Sequence, residues 1–95
     1  MFIVFLRFSG NKGQASQFME DHKAWVKRGF DDGVFLLAGS LEPDLGGGIL
    51  AHNTSLAALR SRVNDDPFVA KDVVRAEIFE FDPFKADDRL KFLIG

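Results

Sequence analysis

Residues 64–74 read Asn64-Asp65-Asp66-Pro67-Phe68-Val69-Ala70-Lys71-Asp72-Val73-Val74. Asp-Pro is a helix-start pair: the carboxylate caps open backbone N–H groups, and proline is tolerated at the first helical position, where an N–H has no partner. The pair follows a run with helical spacing (Leu56, Leu59, Val63) and precedes a β-branched run from Val73. The chain therefore turns a corner at 65–68, makes a short turn of helix and enters a strand at about 73–81. A carboxylate at such a corner can be turned inward, toward a site. Asp66 is the candidate; Asp65 is the alternative cap, and would shift the corner by one residue.

Upstream, residues 2–8 (Phe-Ile-Val-Phe-Leu-Arg-Phe) are β-branched and aromatic, which suits a strand. Phe2, Val4, Leu6 and Phe8 make one face apolar, and Ile3 and Phe5 do the same for the other, so both faces need cover. Residues 14–31 read as a helix. Ala15, Phe18, Met19, His22, Trp25, Val26, Gly29 and Phe30 recur at helical spacing in one stripe. Glu20 with Lys23, and Lys27 with Asp31, are possible surface pairs worth about a few tenths of a kcal/mol each. Gly33 after Asp31-Asp32 suits a left-handed helix end. A second strand is expected over 34–42 and a short third over 48–53, joined by a flexible connection through Gly46-Gly47-Gly48. A helix capped by Asn53, Thr54 or Ser55 then runs to about Asn64. Asp82-Pro83-Phe84 ends the last strand, since proline breaks a ladder. Phe92, Leu93 and Ile94 give the charged tail, 85–95, an apolar end that docks on the body.

The order β-α-β-β-α-β is the ferredoxin-like split pattern. It predicts an α+β domain spanning 1–95, with its core in 1–84, in which both helices cover one face of a four-stranded antiparallel sheet. The other face is apolar and has only the short tail to cover it. A second copy packed sheet to sheet is the simplest solution, so a homodimer is expected; the alternative is a tail folded back over the face.

Bulk properties narrow the function. The 95 residues carry a net charge of −2, with Lys and Arg scattered rather than clustered, which argues against a nucleic-acid footprint. Apolar runs are too short to span a membrane. The N-terminus is apolar at once but is cut by Arg7, with no basic leader, and reads as a strand; a cytoplasmic location is the default expectation. There is no cysteine, so disulfides and thiolate metal sites are excluded. The two histidines, His22 and His52, fit no metal-ligand spacing, and Gly46-Gly47-Gly48 is not a phosphate loop, because no Gly-Lys-Ser/Thr follows. Neither a metal nor a cofactor is expected.

His22 is the natural partner for Asp66, because it lies on the apolar side of the first helix. A histidine there can simply be a packed neutral imidazole bonded to a carbonyl, or it can move protons near neutral pH. Asp66 can be a cap contributing about 1 kcal/mol, or an orienting carboxylate, or both, one oxygen for each task. Ser40, after Gly39 at a strand end, is a polar terminus or a binding group; no Gly-x-Ser-x-Gly elbow makes it a nucleophile. His52, on the third strand, reads as exposed.

Over residues 1–84 the chain resembles the YciI-like (YCII-related domain) family of the dimeric α+β barrel superfamily. The resemblance is carried by the first strand, by His22, by Gly33 followed by Val34-Phe35-Leu36-Leu37-Ala38-Gly39-Ser40, and by Asp66-Pro67-Phe68 before the last strand. It implies a ferredoxin-like protomer, a dimer, and a His–Asp dyad in a pocket near the sheet, with His22 and Asp66 in those places and Ser40 beside the pocket. One branch of the family eliminates chloride from a chlorinated hydroxyhydroquinone. The Gly46–Gly48 connection and the tail after Phe84 match no shared motif.

Two functions of different kinds follow. In the first, the chain is a small cofactor-free enzyme in which His22, oriented by Asp66, moves a proton on a small phenolic, enolic or lactone-like substrate, giving elimination, isomerisation or decarboxylation. In the second, it is a non-catalytic ligand-binding or interaction module, since one fold hosts many functions. A cofactor-free monooxygenase ranks below both, because only the fold points there.

Overall fold

The computed structural model describes residues 1–94. The chain is an α+β fold in the ferredoxin-like order, as its patterning predicts. Four strands, β1 (Phe2–Phe8), β2 (Phe35–Leu41), β3 (Gly46–Ala51) and β4 (Val74–Glu80), form one sheet in the order β2-β3-β1-β4. Every pairing is antiparallel. The helices are α1 (Ala15–Asp31), α2 (Leu56–Asn64) and a single turn, α3 (Pro67–Ala70). None is long and apolar enough to cross a membrane.

β1 is central, so its alternation sets the two faces of the sheet. Phe2, Val4 and Leu6 are buried under the helices with Trp25, Leu59, Val63 and Phe68. Ile3 and Phe5 point the other way and stay partly open, beside Leu37 and Phe79, which are 60% and 50% exposed. Register explains the division. Val4 lies opposite Ile49, which lies opposite Ala38, and Leu6 lies opposite Gly47, which lies opposite Ser40. These rows face the helices.

Helix α1 is seated by Gly29. A Cβ there would fall 2.0 Å from a ring carbon of Phe35, so the missing side chain is what lets α1 approach β2. Trp25, edge-on to Phe35 at 5.2 Å, donates its indole N–H to the Arg62 carbonyl at 2.9 Å and ties α1 to α2. Helix α1 ends at Gly33, with φ +73°, where a left-handed residue satisfies the last carbonyls.

Three local expectations need correction. Gly46-Gly47-Gly48 is not a flexible connection: the three glycines are the first half of β3, bonded into the ladder between β1 and β2. Glycine has little strand propensity of its own, and pairing on both sides overrides that weakness. The Glu20–Lys23 pair does not form, although Lys27 and Asp31 do pair, at 2.6 Å. His52 follows β3 rather than lying in it, and is half-buried edge-on to Phe92. The tail packs lightly through that contact and a 3₁₀ turn at Asp88–Leu93, leaving Phe84, Phe92 and Ile94 exposed. At the head of that turn, Asp87 accepts from the Arg89 side chain and backbone N–H, which holds its carboxyl below the usual range.

Candidate active site

The site grows from the Asp66-Pro67-Phe68 corner. Asp66 caps α3: its backbone is extended, Pro67 opens the helix, and Oδ1 accepts from the Phe68 N–H at 3.0 Å. Asp65 instead closes α2, so the corner keeps the register in which Asp66 turns inward. Asp66 is fully buried, the one ionisable residue in the core among the described residues.

The same Oδ1 lies 2.8 Å from Nδ1 of His22 on α1. With Asp66 as the carboxylate, Oδ1 can only accept, and Nδ1 then carries the hydrogen and donates it. In the neutral ring, the lone pair then resides on Nε2. The imidazole is clamped as well as bonded: it stacks on Phe68 with centroids 4.0 Å apart and planes within 4°, and Trp25 lies on α1 at 5.8 Å. Asp66 Oδ2 is buried with no hydrogen-bond partner among the described residues, which leaves the carboxylate committed to the His22 side.

His22 keeps 17% of its side chain accessible, and that part lines a cavity of about 490 Å³ between α1 and the β2–β3 half of the sheet. The volume falls in the small-ligand range of roughly 300–1,000 Å³. Helix α1 contributes Met19, His22, Lys23 and Val26, the α3 corner contributes Phe68, and the sheet contributes Phe8, Ala38, Ser40 and the Gly46–Gly48 strand as a floor. In the rows that face the helices, Ala38, Ser40 and Gly47 are the small residues beside Leu6 and Ile49, and they leave space beneath α1. The cavity is mostly apolar, and its polar side chains are His22, Lys23 and Ser40.

The structure thus brings His22 and Asp66 into contact and puts Ser40 on the same cavity. Two contributors are not evident from the sequence. Lys23 is masked by its spacing from Glu20, which suggests an ordinary surface pair. The glycines have no side-chain pattern that would announce a strand. Among the described residues no three His, Asp or Glu side chains gather as metal ligands.

No protein-family model matches the chain, and no curated protein sequence matches it. Among solved structures, the chain resembles the 5-chloro-2-hydroxyhydroquinone dehydrochlorinase of Burkholderia phenoliruptrix AC1100 in complex with 2,5-dihydroxybenzoquinone. The TM-score is 0.68 at 15% identity, over 86% of this chain and 94% of that one. At that identity the likeness establishes a shared fold.

Proposed function

We propose that this chain is a YciI-like, cofactor-independent enzyme that uses His22 and Asp66 to transfer a proton on a small phenolic, enolic or lactone-like substrate. The observation that carries the reading is the 2.8 Å contact between a fully buried carboxylate and an imidazole that stays partly accessible and lines the cavity. Asp66 fixes the tautomer, Phe68 fixes the ring plane, and Nε2 is left as the base. The dehydrochlorinase fold adds support, since its subject is a small hydroxylated ring.

In an elimination, Nε2 takes a substrate proton, the released electron pair forms the new π bond, and the leaving group departs with its own bonding pair. An isomerisation would return the proton to a different carbon. Either role suits a base positioned in an apolar cavity and contributes about 10²–10⁴-fold. Ser40 would hold a substrate oxygen from the floor. The exposed sheet face, with Leu37 and Phe79, supports pairing of two copies through that face as a dimer.

The test is a substrate screen with chlorinated hydroxyhydroquinones, enol lactones and small phenols, followed by absorbance, on the wild type and His22→Gln. Turnover that falls at least about 100-fold in a folded His22→Gln protein supports the enzyme. Saturable binding of these compounds with no turnover, unaffected by His22→Gln, would replace it with the ligand-binding module.

A further inference from the structure

We propose that Lys23 is the anion anchor of the cavity, and that the ligand is a flat oxyanion, a phenolate, enolate or carboxylate on a planar ring, lying on the strand at Gly47. The proposal rests on the reading of this cavity as a small-molecule site and names the class of molecule it takes.

Charge is the first observation. Lys23 follows His22 on α1 and lines the cavity. Glu20, one turn back, does not pair with it, whereas Lys27, one turn on, is held by Asp31 at 2.6 Å. Among the described residues Lys23 makes no ion pair, and no Asp or Glu lines the cavity; the Asp66 carboxylate is bonded to His22. Lys23 is exposed at the cavity's α1 side, so its charge reaches a mostly apolar cavity through water, and an unpaired cation there favours an anion by an amount that salt will screen.

Shape is the second. The glycines of β3 are not equivalent. Gly46 is demanded by the backbone: its φ is +130°, and a Cβ would fall 1.9 Å from the Leu6 carbonyl oxygen. Gly47 is less constrained: its φ is not in the left-handed region, and a Cβ would lie 3.2 Å from the Gly39 carbonyl oxygen, a tight contact that needs a shift of a few tenths of an ångström in β2. Gly47 faces α1 between Leu6 and Ser40. Where the outer strand β2 yields by that amount, a small side chain fits there and takes space from the cavity. A bare strand in the same lining as the stacked rings of Phe68 and His22 suits a planar ring, with Lys23 and Ser40 to meet its oxygens.

The experiment is a ¹H–¹⁵N NMR titration of the full chain with benzoate and with its neutral isostere benzamide, in wild type, Lys23→Gln, Lys23→Arg and His22→Gln. The wild type is expected to bind benzoate about 3- to 10-fold more tightly than benzamide at low ionic strength, with the ratio shrinking as salt is added. Lys23→Gln should bring the ratio to about 1 while leaving benzamide affinity in place, and Lys23→Arg should restore it. Equal affinities in the wild type, a ratio unchanged by Lys23→Gln, or a ratio lost in His22→Gln but kept in Lys23→Gln would each overturn the proposal. So would the absence of saturable benzoate shifts up to about 20 mM, a concentration well above a millimolar Kd. A chain that passes this test yet turns over no planar anion would keep Lys23 as the anchor and lose the enzyme reading, so the two failures are distinct.

Discussion

Phe68 lies face to face on His22, 4.0 Å between ring centroids, and its own backbone N–H donates to the carboxylate oxygen that bonds His22. One residue thus clamps the imidazole from its face and fixes the acceptor at its edge. Phe68→Ala should cost about 3–5 kcal/mol, because the ring is buried. Phe68→Leu keeps most of the volume. It should fold, with a smaller loss in urea denaturation, and should reduce turnover because the imidazole plane is no longer held. Full turnover in Phe68→Leu would show that stacking does not position the base.

Asp66 has two tasks, and two substitutions separate them. Asparagine caps helices as well as aspartate does, so Asp66→Asn should unfold within about 1 kcal/mol of the wild type in urea. It removes the carboxylate that fixes the His22 tautomer, so turnover should fall at least about tenfold. Asp66→Ala loses the cap as well and should be destabilised by a further 0.5–2 kcal/mol or so. Equal turnover in wild type and Asp66→Asn would reduce Asp66 to a cap.

Gly46 and Gly47 should respond in opposite ways to the same methyl group. Gly46→Ala drives a Cβ into the Leu6 carbonyl at a positive φ, and should lower stability by about 2 kcal/mol or more. Gly47→Ala should change stability little and weaken planar ligands instead. Thermal melts and benzoate titrations on the two proteins check both halves.

The open sheet face gives a test of assembly. Phe79 and Leu37 are exposed on the side away from the helices, and Phe5 stacks edge-on to Phe79 at 5.9 Å. If two copies pair through this face, Phe79→Glu should shift sedimentation from dimer to monomer while α1 and His22 stay in place. A wild type that sediments as a monomer removes the pairing.

Much of this arrangement was legible in the residues. The β1 alternation and the α1 stripe gave the layers, because burial on one face imposes a period that survives in the sequence. Asp-Pro marked the α3 cap because its chemistry is local. The strand at Gly46–Gly48 was not legible: glycines carry no alternation, and only pairing with β1 and β2 makes them a strand. Lys23 was hidden for a related reason. Its spacing from Glu20 allows a pair, but which way a long side chain turns depends on the gap beneath α1, and that gap is a property of β2 and β3.

The cavity has two unlike walls. On the α1 side, Trp25, Phe68 and Asp66 fix the helix in the core. On the other side is β2, an outer strand bonded to β3 along one edge only, and its bulge between Phe35 and Leu37 interrupts that bond row. Amide hydrogens of Ala38–Ser40 should therefore exchange with solvent deuterium well before those of β1. His22 stands on the slow-exchanging wall, so if the cavity takes a ligand, the β2 side can adjust to rings of different width while the imidazole stays in place.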